Sequence, residues 1–227
     1  MALFGSTPDK QTDFSQVGTD FHSHLVPGID DGANSAAETL EMAQGLADLG
    51  FQHIITTPHI NSDSFDNTEE GILEAYQAVM QELETQGAAI SLEVAAEYYV
   101  NFDFIEKIGH EKLLTFGRDY LLVEFSFYNP PVNLDQLMFQ IQTEGYNVVL
   151  AHPERYPYWG GDFNTFQKLV DRGVMLQCNI GAFAGMYGAQ AKKTAEKLAQ
   201  KELIEFLGSD LHHAGQLKTI NQALENK

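Results

Sequence analysis

The 227-residue chain predicts an α/β fold: a parallel sheet, closed or nearly closed into a single barrel. Three observations predict it. Short apolar, β-prone runs alternate with helical stretches along the whole chain, which implies a parallel sheet. Seven such runs occur, more than a typical open dinucleotide-binding half needs. No G-x-G-x-x-G follows the first run, which argues against a dinucleotide-binding sheet.

Residues 1–17, MALFGSTPDKQTDFSQV, read as a short N-terminal extension without the apolar stretch of a signal peptide. The domain proper is expected over residues 18–227. Its strands are predicted at 17–22 (VGTDFH), 53–57 (HIITT), 90–97 (ISLEVAAE), 120–125 (YLLVEF), 147–152 (NVVLAH), 174–180 (VMLQCNI) and 204–210 (IEFLGSD). Buried parallel strands read as continuous apolar runs of this kind. Helices are predicted over 35–49, 68–86, 133–144, 163–172, 189–200 and 214–225. The first opens on Ser35 and Glu38, a capping-box pair, and stops at Gly50. Its apolar stripe is Leu40, Ala43, Leu46 and Ala47. No run of about 18 apolar residues occurs, so no membrane span is expected.

The chain carries 32 acidic and 13 basic residues, a net charge of −19. That field repels nucleic-acid backbones and anionic membranes and argues against a nuclease, which needs a basic track for its polyanion. It repels a phosphorylated substrate as well, unless bound metals reverse the sign locally. The one cysteine, Cys178, excludes an internal disulfide and fits the reducing cytoplasm. A Cys-nucleophile phosphatase commonly has C-x5-R, but the sixth residue after Cys178 is Ala184, so a buried thiol is the better reading.

Metal-capable side chains gather where these strands end. His22 and His24 close the first as H-x-H, with Asp30 and Asp31 in the adjoining GIDDG loop; His59 follows the second in TTPH. Glu97 ends the third, Glu124 lies near the end of the fourth, His152 ends the fifth, and Asp210 and His212 follow the seventh as D-x-H. In a β/α barrel those ends converge on one face, where active sites are built. Burying Glu97 beside AAE, or Glu124 within LLVEF, costs several kcal/mol for each unpaired charge. The basic residues in these loops are Arg155 and Lys218, too few to compensate, so bound cations are required. The mixed N/O donor set suits Mn, Fe or Zn. His53, His110 and His213 read as surface or packing residues. Tyr98, Tyr99, Phe125, Phe127, Tyr128, Tyr156, Tyr158 and Trp159 follow strand ends and are candidates for an aromatic rim around the mouth.

DFHSH, TTPH, AEYY, HPER and SDLH in this order resemble the motif series of the PHP (polymerase and histidinol phosphatase) superfamily. DFHSHLVPGIDDGA and AHPERY are similar to bacterial PHP-type protein tyrosine phosphatases of capsule and exopolysaccharide operons. The resemblance covers roughly residues 18–215. It implies a distorted (β/α)7 barrel with three metals, usually manganese or iron, at the C-terminal ends of the strands. His22, His24, Glu97 and Asp210 would bind the first metal. Glu97, Glu124 and His152 would bind the second, and Asp31, His59 and His212 the third. Asp31 would thereby serve catalysis, and Arg155 would grip the phosphate. The family often carries a second phosphate-binding Arg after D-x-H; here the segment reads HAGQLK, leaving His213 and Lys218 as the candidate stand-ins.

The implied activity is hydrolysis of phosphotyrosine by metal-activated hydroxide. The implied substrate is the tyrosine-rich tail of a membrane tyrosine autokinase that regulates capsule or exopolysaccharide synthesis. Two alternatives stay open on the sequence: a PHP small-molecule phosphatase acting on a histidinol-phosphate-like substrate, and a non-catalytic regulator that captures phosphorylated tails.

Overall fold

The computed structural model describes residues 13–88, 90–160 and 162–225. Among the described residues, nine short strands, all paired in parallel, form two sheets. They are β1 (Thr19–Asp20), β2 (His53–Thr56), β3 (His59–Ile60), β4 (Leu92–Val94), β5 (Glu97–Tyr99), β6 (Tyr120–Glu124), β7 (Asn147–Ala151), β8 (Met175–Asn179) and β9 (Phe206–Gly208). The first sheet runs β1-β2-β4 and the second β3-β5-β6-β7-β8-β9.

Two of the predicted strands are therefore each broken in two. Pro58 has no N–H to give a ladder, and it separates β2 from β3. Ala95 and Ala96 separate β4 from β5. Hydrogen bonds from Ala95 N to Thr56 O (2.9 Å) and from Glu97 N to Pro58 O (3.1 Å) carry the pairing across both breaks. At the other margin, Phe21 N donates to Leu207 O (3.2 Å), Asp210 N to His22 O (2.7 Å) and His24 N to Leu211 O (2.9 Å). The β1 segment thus meets the end of β9, and the parallel sheet curls round on itself.

The side chains of the sheet alternate between two surroundings. Leu121 and Val123 of β6, Val148 and Leu150 of β7 and Leu176 of β8 face a large core shared with Leu137, Met138 and Ile141 of the helix Leu134–Thr143. The opposite face carries a smaller apolar cluster: Ile55, Ala95, Leu122, Val149, Ala151 and Phe116. On that same face the sequence turns polar toward the strand ends: Leu122 is followed by Glu124, and Met175 by Gln177 and Asn179. The apolar residues plug one end and leave a polar mouth at the other.

The helices follow their predicted positions with local differences. Ala36–Asp48 is capped by Ser35, whose hydroxyl accepts from Glu38 N at 3.3 Å; such caps stabilise by about 1 kcal/mol. The reciprocal half of the box is shifted: Glu38 accepts from Asn34 N (2.9 Å), one residue before the cap. The buried stripe is Ala36, Thr39, Met42, Ala43 and Leu46, while Ala47 points outward. The C-terminal stretch predicted as one helix is three pieces, Ala214–Gln216, Leu217–Gln222 and Ala223–Glu225. Two helices escaped the pattern, Phe102–Lys107 and Ile180–Phe183, because each is too short to show a period.

Of the predicted extension, residues 1–12 lie outside the described residues. Residues 13–17 are held: Phe14 is buried, stacks on Phe51 at 5.1 Å and donates its N–H to Leu49 O at 2.7 Å. Among the described residues, no helix is long and apolar enough to cross a membrane.

Candidate metal centre

Every sequence-predicted metal ligand reaches the polar mouth. The strand ends deliver them: Glu97 opens β5, Glu124 closes β6, His152 follows β7, and Asp210 and His212 follow β9. His22 and His24 lie just past β1 and His59 opens β3. His152 (φ 34°) and Asp210 (φ 53°) sit in the left-handed region, which costs an L-residue about 1–2 kcal/mol. Such strain persists where the surroundings fix it, and here it turns two donors inward.

His22 Nε2 lies 3.2 Å from Glu97 Oε2 and 3.5 Å from Asp210 Oδ1. His152 Nε2 lies 3.0 Å from Glu97 Oε1 and 3.6 Å from Glu124 Oε1. His59 Nδ1 approaches Glu97 Oε2 at 3.1 Å, and its Nε2 lies 3.6 Å from Asp31 Oδ1. His212 Nε2 lies 3.4 Å from the same Asp31 oxygen. Four overlapping donor sets are each compact enough to hold an ion: His24/Asp31/His59/His212, His22/Glu97/His152, His22/His24/Asp210 and His59/Glu97/Glu124.

Three features fit these residues to divalent metals. Glu97 Oε2 is buried between the ring nitrogens of His22 (3.2 Å) and His59 (3.1 Å) without a well-formed hydrogen bond to either, so its charge depends on positive charge at that point. The Nδ1 atoms of His22 and His24 are engaged by Gln177 Oε1 and Asp30 Oδ2, each at 2.8 Å. Their Nε2 atoms therefore face each other at 3.2 Å, and two lone pairs so placed repel unless a proton or a metal lies between them. Finally, the donor set is mixed imidazole and carboxylate, which suits Mn, Fe or Zn.

The ionisation of the metal-free cavity reflects the same demand for positive charge. Burial works against charge on His22, but Glu97 and Asp210 outweigh it and raise the imidazole to about 10. Burial likewise opposes charge on His59, and Glu97 outweighs it, raising that ring to about 9. Burial and the neighbouring Glu97 carboxylate push Glu124 up to about 8. Burial holds His152 neutral, at about 4.

Asp30 and Asp31 divide their work. Asp30 is turned inward, accepting from His24 Nδ1, from Gly32 N (3.0 Å) and from His59 N (3.1 Å). Gly32 is required there, because a Cβ would lie 2.2 Å from His24 O. Asp31 is more exposed and faces His59 and His212.

Arg155 lies in a sandwich, its guanidinium 4.6 Å from the ring centres of both Phe127 and Tyr187. Its Nη1 donates to Asp210 Oδ2 at 2.9 Å. It lines the cavity of about 350 Å³ that also contains Asp31, His59, Glu124, His152, Asp210 and His212. His213 and Lys218 are not brought to that cavity: His213 is exposed and caps the turn Ala214–Gln216, and Lys218 is exposed on Leu217–Gln222. Nor is the aromatic rim as expected. Tyr98, Phe125, Tyr156 and Trp159 are buried in the core, Tyr128 is 89% exposed, and Tyr99 and Phe127 line the mouth.

Phe65 is an unanticipated wall of the mouth, stacked on His59 with rings 5.3 Å apart at 8°. A tight loop hangs it there: Phe65 N donates to Asn61 O and Asn61 N to Phe65 O. Gln177, Asn179 and Tyr187, which hold ligands from behind, were also missed. The signal was present: two amides spaced i, i+2 inside the apolar run VMLQCNI.

With this geometry stand the relatives. A profile of the family described as "Capsular polysaccharide synthesis, CpsB/CapC" matches residues 18–224. The chain belongs to the CpsB/CapC family. It is 31% identical over 203 residues to the tyrosine-protein phosphatase YwqE of Bacillus subtilis, covering 89% of this chain and 79% of that one. It is 27% identical over 200 residues to the tyrosine-protein phosphatase CpsB of Streptococcus pneumoniae, covering 86% and 82%. A crystal structure from work on YwqE and CpsB, described as unique metal-dependent tyrosine phosphatases, superposes with a TM-score of 0.82 at 29% identity. That match covers 91% of this chain and 84% of the other.

Proposed function

We propose that this chain is a metal-dependent protein tyrosine phosphatase acting in capsule or exopolysaccharide synthesis. The observation that carries it is the convergence of His22, His24, Asp31, His59, Glu97, Glu124, His152, Asp210 and His212 on one polar mouth, with the Glu97 carboxylate buried at its centre, in a CpsB/CapC chain. We assign His22, His24, Glu97 and Asp210 to one metal, Glu97, Glu124 and His152 to a second, and Asp31, His59 and His212 to a third. The four overlapping donor sets support three ions, two of them sharing Glu97, with manganese the first candidate and iron or zinc the others. When bound, such metals supply Lewis acidity and a water of lowered pKa near the phosphoryl group.

The residues do the rest. Arg155, pinned between Phe127 and Tyr187, presents its remaining N–H groups to phosphoryl oxygens in a fixed fork. Its rigidity lowers the ordering cost of that contact. Asp31, half out of the mouth, brings charge to the outer side of the cavity. Phe65, Tyr99 and Phe127 give the mouth apolar walls suited to a phenyl ring. A tyrosine leaving group, with a pKa of about 10, needs less protonation than an alkyl alcohol.

We read residues 18–227 as one phosphatase domain and its sheet as a distorted (β/α)7 barrel. Counting β2 with β3 and β4 with β5 as single staves supports seven, and the β1–β9 hydrogen bonds support closure. We place the enzyme in the cytoplasm, to which a single buried thiol is suited, acting on the tyrosine-rich tail of a membrane tyrosine autokinase. The test compares kcat/KM for a phosphotyrosyl peptide and for histidinol phosphate, in Mn²⁺ and in chelator. Metal-dependent preference for the peptide is expected; preference for histidinol phosphate would replace this reading with a small-molecule phosphatase.

A further inference from the structure

We propose that Gln177 and Asn179 are a positioning pair that fixes which atoms of His22 and Asp210 face the metal cavity. This rests on the reading of His22 and Asp210 as metal ligands. Strand β8 supplies none of the nine residues assigned above as ligands, yet it sends two primary amides into the polar mouth, both 0% exposed. Amides are costly in such a place unless every group is paired, so their pairing is informative.

The pairing runs one way. His22 Nδ1 donates to Gln177 Oε1 (2.8 Å), Gln177 Nε2 to Asn179 Oδ1 (3.0 Å), and Asn179 Nδ2 to Asp210 Oδ2 (2.7 Å). Reversing one amide would set donor against donor, so each amide fixes the next. At the first end the chain puts the proton of His22 on Nδ1 and leaves Nε2 facing inward. At the other end Asn179 makes the shortest of three contacts to Asp210 Oδ2, beside Arg155 Nη1 (2.9 Å) and the Tyr187 hydroxyl (3.3 Å), and Oδ1 is left inward. Those two freed atoms lie 3.5 Å apart, the near-contact that a shared cation would bridge.

The surroundings are fitted to this chain. Asn179 N donates to Glu154 Oε1 at 3.0 Å, which ties the end of β8 to the segment bearing Arg155. Gly208 on β9 leaves the necessary space: a Cβ there would lie 2.7 Å from Gln177 Nε2 and 2.5 Å from His22 Cβ.

The test is Mn²⁺ affinity by chelator competition for Gln177→Leu, Gln177→Glu and Asn179→Ala, alongside melting of the same proteins in excess chelator. Gln177→Leu and Asn179→Ala should each weaken the tightest Mn²⁺ by about 10–100-fold, and cooperative melting in excess chelator should show that each variant is folded when its affinity is measured. Gln177→Glu, whose carboxylate still accepts the His22 proton but has no N–H for Asn179 Oδ1, should fall between Gln177→Leu and wild type. The double variant Gln177→Leu/Asn179→Ala should lose less than the product of the single losses, because the pair acts as one unit. Wild-type affinity in Asn179→Ala, or Gln177→Glu binding as weakly as Gln177→Leu, overturns the proposal. If Gln177→Leu does not fold, Asn179→Ala alone decides it. A wild-type protein that binds none of Mn²⁺, Fe²⁺ and Zn²⁺ overturns the metal-site reading as well, and that result needs no variant to see.

Discussion

His22 and His24 face each other through their Nε2 atoms at 3.2 Å, while Gln177 and Asp30 hold their Nδ1 atoms from behind. The fold thus aims two ring nitrogens at one point, which a proton holds until a metal replaces it.

Metal removal follows directly. Excess EDTA should abolish hydrolysis of a phosphotyrosyl peptide, and Mn²⁺ added back should restore it. Full activity in chelator, with metal content confirmed at zero by elemental analysis, would remove the metal mechanism. The chelated protein should keep its far-ultraviolet circular dichroism, since the core clusters do not include the ligands.

Metal uptake should release protons. In the metal-free protein His22 (about 10), His59 (about 9) and Glu124 (about 8) all keep their protons at pH 7.5. Ligation requires the unprotonated forms. Affinity for Mn²⁺ should therefore rise with pH until these groups titrate, and proton release should shrink above about pH 10. Calorimetry at one pH in buffers of different ionisation enthalpy counts the protons. A heat that does not depend on the buffer would contradict the assignment of these groups as ligands.

Arg155→Lys should lower kcat/KM for the phosphotyrosyl peptide by about 100-fold, the scale of losing one well-placed donor to a developing oxyanion. Lys offers a point charge in place of a planar fork and cannot fill the gap between the Phe127 and Tyr187 rings. Steady-state kinetics check this; a rate near wild type would mean that Arg155 serves Asp210 alone.

Cys178→Ser should keep activity within about twofold, although a hydroxyl in that site costs stability by about 1–3 kcal/mol. The thiol is buried, and burial beside Glu154 raises it well above the ordinary thiol range, away from the thiolate a nucleophile needs. Lost turnover in a folded variant would revive cysteine chemistry.

The sequence by itself determined the class of fold, the face that carries the site, and the residues that crowd there. A strand end is a local feature: an apolar run followed by His, Asp or Glu is visible in a few residues, as in NVVLAH and LLVEF. Parallel topology then sends every such end to one face. What the tertiary structure decided lies between residues far apart in the chain. His22 and Gln177 are 155 positions apart, so neither run says that one holds the other's proton. Tyr98, Phe125 and Trp159 have the same local signature as Phe127, and only packing against the helices drew them into the core. The position of Arg155 between two rings, the exposure of His213 and Lys218, and the place of Phe65 over His59 were settled in the same way. Side-chain chemistry can be read from sequence because it travels with the residue; orientation cannot, because each of these atoms is aimed by neighbours that the chain brings in from elsewhere.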